Sequence, residues 1–333
     1  MLPWFQNGSF PLYLAPMAGV TDGVFRRICK DLGADAMVTE FVSAEGIIQA
    51  DERTRIYTEF DETQRPIGIQ LFGADGKRMA EAAGRIIDWK RPEFIDVNFG
   101  CPVKKVVSKN GGSSLLKDCP ALGKVAGELV KGIGNRVPVT AKIRIGWDFN
   151  SINATEVCHI LEDAGVEAIA VHGRTRSQGY RGEADWDVID ACAKAVAIPV
   201  IGNGDISSGA DVEKRRKTTS VSGVMIGRAA MQHPWVFQEA KQYLEKGRTA
   251  TSIHPIEKWN LILRHARMLV RSGRFSAEKL AIQYFRSRLM AYSRGLPRGK
   301  ALRVKFSTVG SLTQLEGIAE THLEELASYS SLS

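Results

Sequence analysis

Eight short apolar runs, separated by stretches of helical periodicity, constrain this chain more than any other feature. The runs are Leu12–Pro16, Ala36–Phe41, Ile67–Phe72, Phe94–Phe99, Val139–Ile145, Ala168–His172, Pro199–Asn203 and Gly223–Gly227. Between them lie amphipathic segments such as Gly23–Leu32, Lys77–Trp89, Ala121–Ile133, Ala154–Ala164, Trp186–Val196 and Gly209–Arg216. Apolar strands that alternate with amphipathic helices are parallel and covered on both faces. Eight such units predict an α/β fold, a (β/α)8 TIM barrel, with an open doubly wound sheet as the competing topology.

In such a barrel the functional side chains belong at the C-terminal ends of the strands. Here those ends are polar: Pro16 and Met17, Glu40, Gln70, Asn98 followed by Cys101, Lys142 and Arg144, His172 and Arg174, Asn203-Gly204-Asp205, and Gly227-Arg228. A purely structural barrel would avoid unpaired polar groups at these heights, because burying them is costly. In the fourth run, Gly100 breaks the strand and Pro102 pushes Cys101 towards extended backbone. The thiol is thereby set on a strand edge beside Lys104 and Lys105 and a polar, glycine-rich loop, Ser108 to Ser114. A lone cysteine is more often a small buried hydrophobe than a reactive group, so its neighbours must decide.

The net charge of +8 is unevenly placed. Residues 1–240 carry 29 Lys and Arg against 30 Asp and Glu, whereas residues 241–333 carry 16 against 7. Within 257–305 there are 13 bases and two acids, too lopsided for an ordinary mixed surface, and a polyanion is the favoured partner, nucleic acid ahead of membrane. The segment Tyr243–Ala250 reads as a linker, and beyond it Ile256–Ser272, Ser276–Ser293, Ala301–Leu312 and Leu315–Tyr329 read as helices. The expected organisation is a catalytic barrel over 1–242 and an α-helical bundle over 243–333. Arg264, Arg267, Arg271, Arg286 and Arg288 are expected on its basic face.

No apolar run reaches the 18 residues of a membrane span, and the first residues lack a signal-peptide pattern. Five scattered cysteines with no CxxC pair point to a reducing, cytoplasmic setting. With no HxH or HExxH pairing, no metal is expected. Glycines beside Asn203, Asp205 and Arg228 let backbone N–H groups approach a phosphate, although glycines also simply end strands. Lys142, in an apolar strand, suits either an anionic flavin edge or a Schiff base. His172 is read as a pocket residue because of its strand-end position and the arginines after it.

Six ordered segments carry a resemblance. They are Ala15-Pro16-Met17-Ala18-Gly19-Val20-Thr21-Asp22, Asp96-Val97-Asn98-Phe99-Gly100-Cys101-Pro102, Lys142-Ile143-Arg144-Ile145-Gly146-Trp147, His172 through Tyr180, Asn203-Gly204-Asp205-Ile206 and Gly223 through Ala229. Together they resemble the tRNA-dihydrouridine synthase family from about Leu12 into the helical tail, with a pattern similar to bacterial B-type members. The resemblance implies an FMN flavoprotein that reduces the C5=C6 bond of a tRNA uridine, in the D-loop, with NADPH as electron donor. Carried over by position, it implies flavin contacts from Pro16, Met17, Gln70, Lys142 and His172, and a phosphate site at Asn203, Gly204, Asp205, Gly227 and Arg228. Asn98, Arg176 and Tyr180 would hold the substrate, and Arg286 and Arg288 would meet the RNA.

On this reading hydride passes from flavin N5 to uracil C6, and Cys101 is the general acid for C5. A thiol with an ordinary pKa of about 8.5 is mostly protonated at neutral pH, which suits an acid and requires Lys104 and Lys105 to point away. A monomer is expected. Two other classes stay open: an FMN barrel of the dihydroorotate-dehydrogenase kind acting on a small molecule, and a noncatalytic RNA-binding protein. The first leaves the basic tail without a purpose, and the second leaves the polar strand ends without one.

Overall fold

The computed structural model describes residues 2–6, 8–101, 111–247 and 253–330. Its strands are β1 (Leu12–Leu14), β2 (Ala36–Val38), β3 (Val42–Ser43), β4 (Ile67–Phe72), β5 (Phe94–Asn98), β6 (Val139–Arg144), β7 (Ala168–His172), β8 (Val200–Asn203) and β9 (Gly223–Ile226). All pairings among them are parallel, and the order β2-β1-β9-β8-β7-β6-β5-β4 closes on itself where Met37 pairs with Ile67. This is the eight-stranded barrel expected. One run is split: Ala36–Phe41 leaves the sheet after Val38, and the two-residue β3 rejoins it higher up, Val42 opposite Leu71.

Period two in the strands sorts side chains into two cores. Ile69, Ile95, Val97, Ala141, Ile143, Ile169 and Val171 face outward to helices that include α4 (Gly76–Lys90), α5 (Cys119–Ile133) and α6 (Ala154–Asp163). Tyr13, Phe94, Ala168, Ala170, Ile201 and Met225 face inward, and Leu2, Trp4 and Phe5 pack into the N-terminal end of the barrel from outside. A Cβ at Gly68 would come within 2.1 Å of the Phe94 ring, so only glycine there lets that ring fill the barrel floor. Aspartate caps start three of the helices: Asp22 accepts from the Phe25 N–H ahead of α1 (Gly23–Asp31), Asp75 from Arg78 and Asp118 from Ala121.

A long helix of the barrel layer, α10 (Val236–Lys246), runs past the expected 242/243 boundary and ends on Gly247 in left-handed backbone. Residues 248–252 of the expected linker lie outside the described residues. Four helices follow: α11 (Pro255–Arg271), α12 (Glu278–Tyr292), α13 (Gly299–Thr308) and α14 (Leu312–Ser330). They bury Trp259, Ile262, Leu269, Ile282, Phe285, Leu289 and Phe306 in a second core, at about 1.5–3 kcal/mol for each large side chain. Ile28 of α1 and Trp235 belong to this core, which docks the bundle against the α1 side of the barrel.

Candidate active site

Where β5 ends, Asn98 turns the chain with its own side chain. Its Oδ1 accepts the backbone N–H of Gly100 at 3.0 Å and of Cys101 at 2.8 Å. The opposite side of the turn is tied by Arg144, whose Nε donates to the Gly100 carbonyl at 3.0 Å. Its Nη1 reaches the carbonyls of Thr175 and Gly179, both at 3.0 Å. Cys101 is buried within this frame and is not in a disulfide. Lys104, Lys105 and the loop through Asn110 lie outside the described residues.

Across the barrel mouth, Lys142 donates to Asn203 Oδ1 at 3.0 Å, while Asn203 Nδ2 donates to the Met225 carbonyl at 2.7 Å. Burial pushes the Lys142 ammonium down to about 7; Arg144 adds to the shift and Asp96 opposes it. Burial, followed by the cations of Lys142, Arg144, Arg174 and Arg228, drives His172 far below its ordinary range, so the imidazole is neutral. The Met17 sulfur lies 3.5 Å from where a Gly227 Cβ would stand, which brings the loop after β1 to the end of β9.

Beside this group is a cavity of ≈ 440 Å³ lined by Arg174, Tyr180, Gly182, Glu183, Ala184, Asp205, Arg215 and Arg228. Asp205 organises it. Its carboxylate accepts from Arg174 Nη2 at 2.8 and 2.9 Å, from Arg228 Nη2 at 3.0 Å and from the Ala184 N–H at 2.7 Å. Its side chain is thus an acceptor that holds two guanidiniums, of Arg174 and Arg228. Gly204 has a φ of +132°, and a Cβ there would sit 2.5 Å from that of Ala184. Only glycine passes this point.

The donor set suits a phosphorylated flavin. Arg174 is 2% exposed and its Nη1 has no partner among the described residues, leaving a buried donor next to an arginine-lined cavity. Lys142 and neutral His172 stand further in, and Tyr180 spans the rim with Arg228 4.8 Å and Arg144 5.9 Å from its ring. Arg176 lies 4.5 Å over the Trp147 ring, and its buried Nε has no partner among the described residues. Gln70 is fully buried, donating to Asp96 at 2.6 Å and accepting from Asn98 at 2.7 Å, so its amide is committed inside the barrel wall.

Arg286 and Arg288 stand elsewhere. Arg286 donates to the Val309 and Thr308 carbonyls at 2.8 and 3.0 Å, satisfying the C-terminus of α13. Arg288 is 2% exposed and donates to the Gly19 carbonyl across the seam between bundle and barrel. Both guanidiniums find partners within the protein: Arg288 is buried at a loop carbonyl, and Arg286, half-buried, sits at a helix end. Arg264 and Arg267 are likewise engaged, with Asp31 and Glu316. Arg144 and Arg174 are the contributors that residue-by-residue reading left without a role. The signal for Arg144 was alternation, with Thr140, Lys142 and Arg144 on one face of an apolar strand.

Among the described residues, no group of three or more His, Cys, Asp or Glu side chains gathers as a metal site. No helix among them is long and apolar enough to cross a membrane.

A family model described as dihydrouridine synthase (Dus) matches residues 13–328. The tRNA-dihydrouridine synthase B of Pseudomonas aeruginosa is 38% identical over 296 residues, covering 89% of this chain and 87% of the relative. That of Vibrio cholerae is 35% identical over 319 residues, covering 95% and 97%. A probable tRNA-dihydrouridine synthase of Aquifex aeolicus is 35% identical over 300 residues, covering 90% and 91%.

Proposed function

The chain belongs to the dihydrouridine synthase family, and on that premise we propose that it reduces the C5=C6 bond of a uridine in the D-loop of tRNA. FMN is the bound cofactor, NADPH its source of electrons, and Cys101 the proton donor. The observation that carries the reading is the Asn98–Cys101 turn, fixed by side-chain hydrogen bonds at the mouth of a barrel whose other strand ends are cationic. FMN, when bound, supplies the hydride that C6 receives.

The chain's own residues supply the rest. Arg174, Arg228 and the backbone of Gly204 and Gly227 hold the phosphate, and Lys142 holds the anionic edge of the ring. Neutral His172 offers a hydrogen bond without adding charge. As hydride reaches C6, negative charge develops towards O4, and the Cys101 thiol delivers its proton to C5. The uridine must leave its stack to arrive there, at a cost of roughly a few kcal/mol that contacts elsewhere on the tRNA must offset. Tyr180, half exposed at the rim between Arg228 and Arg144, and Arg176 beside Trp147 meet it.

The test is direct. Purified protein should be yellow, and with NADPH it should form dihydrouridine in tRNA that lacks it, without acting on uridine or orotate. A colourless protein with no such activity would end the reading, and turnover of orotate would move the chain to small-molecule chemistry.

A further inference from the structure

One polar side chain inside the barrel has no part in binding cofactor or substrate. Asp96 is 2% exposed and precedes Asn98 by two residues on β5, so the two share the inward face. A chain of hydrogen bonds joins it to the proton donor. Thr140 Oγ1 donates to Asp96 Oδ1 at 2.5 Å, and Gln70 Nε2 to Asp96 Oδ2 at 2.6 Å. Asn98 Nδ2 donates to Gln70 Oε1 at 2.7 Å, and Asn98 Oδ1 accepts the N–H groups of Gly100 and Cys101.

The chain has one workable polarity. Two backbone N–H groups can only donate, so Asn98 must turn its oxygen to them and its NH2 to Gln70. Gln70 must then present oxygen to Asn98 and NH2 to Asp96. Asp96 receives that donor and the Thr140 hydroxyl together, and a carboxylate satisfies both with separate oxygens. Turning either amide over would set donor against donor where no water can relieve it.

We propose that Asp96 is a positioning residue for the proton-donating turn: its two oxygens fix the direction of the Gln70–Asn98 amide pair, which fixes the N–H groups of Gly100 and Cys101 and so the place of the Cys101 thiol. The proposal rests on Cys101 being the acid. Arg144 holds the carbonyl side of the same turn, so the thiol is located from both sides. Lys142 feels the Asp96 charge as well, and an experiment has to separate an effect on the turn from one on the flavin.

Single-turnover kinetics on the full-length, FMN-loaded enzyme make that separation, with uridine reduction in tRNA and flavin reduction by NADPH measured apart. Asp96→Ala should slow the tRNA step about tenfold or more, the scale for a misplaced acid, while flavin reduction and tRNA affinity stay near wild type. Asp96→Asn, whose single oxygen must choose between Gln70 and Thr140, should be slowed less. The double variant Asp96→Ala/Asn98→Ala should be no slower than Asn98→Ala alone, because both interrupt one chain.

Multiplying losses in the double variant overturn the proposal, as does a wild-type rate in Asp96→Asn, which also serves should Asp96→Ala fail to fold. Equal losses in both half-reactions overturn it too, by assigning Asp96 to the flavin side. Cys101→Ala, run in parallel, distinguishes the failures. If it keeps full rate, the acid reading falls and takes this proposal with it. If it is slow while the Asp96 variants are fast, only the positioning role falls.

Discussion

Arg288 of α12 donates from Nη2 to the carbonyl oxygen of Gly19, in the loop that follows β1 and carries Pro16 and Met17. Tyr284, one turn earlier on the helix, reaches the same carbonyl at 3.3 Å and Asp22 Oδ2 at 3.2 Å. Deeper in the seam, His265 of α11 stacks on Phe25 of α1 at 5.8 Å, and burial pushes its imidazole down to about 3, so the ring is neutral. The bundle is thus fastened to a loop on the catalytic face of the barrel.

Arg288→Ala should therefore show itself first in stability. Losing a hydrogen bond from a charged donor costs about 1.5–3 kcal/mol, and the Gly19 carbonyl keeps only the longer bond from Tyr284. Thermal unfolding should begin at a lower temperature, with tRNA affinity well below that temperature close to wild type. Unchanged stability with weakened tRNA binding would instead place Arg288 on the RNA.

Cys101→Ala should retain FMN and accept electrons from NADPH, because the backbone N–H that Asn98 holds survives the change. Reduction of tRNA should fall by about 10²–10⁴, the usual contribution of a general acid. Turnover at the wild-type rate would show that the proton comes from elsewhere.

Arg228 and Asp205 touch, yet their variants should fail differently. The Arg228 side chain is partly exposed, so Arg228→Ala should weaken FMN binding by about 1.5–3 kcal/mol, read by flavin fluorescence, with little change in folding. Asp205→Asn strips the nearly buried Arg174 of its charge partner, and leaving that buried donor unpaired costs roughly 1–3 kcal/mol of stability. Equal stability in the two variants would sink this division of labour.

The barrel was legible because parallel strands covered on both faces must be apolar, and the polar residues ending them marked the mouth. Lys142, Arg144 and His172 stood out for that reason. The fates of Arg286 and Arg288 were not legible: spacing on α12 shows that they lie two residues apart, not that one meets a helix end and the other a barrel loop. The split of Ala36–Phe41 depended on pairing with β4, which a single run cannot display. Asp96 was visible only as part of a motif, since its partners Gln70 and Thr140 come from other strands.

Lys142 should impose a pH dependence of known sign. Burial brings the folded-state value to about 7, against about 10.4 in an unfolded chain. Between those values the unfolded chain holds a proton that the cofactor-free folded chain has released, so this residue makes stability rise with pH across the window. An anion at Lys142 retains the ammonium, so FMN affinity should fall as pH rises through 7. Lys142→Met should flatten both profiles, and unchanged profiles in that variant would assign them to other groups.

Among the exposed cations of the bundle, three stand together on α13. Lys300, Arg303 and Lys305 are exposed there, around a Val304 that is 72% exposed. Reversing all three to Glu should weaken tRNA binding and lower the slope of log affinity against log salt by about 1 for each phosphate no longer neutralised. Reversing Arg286 should act mainly on α13 itself, through the carbonyls of Thr308 and Val309. NADPH-driven flavin reduction should stay constant in the triple variant. If tRNA affinity and its salt slope also stay constant, the RNA approaches the catalytic face by another side.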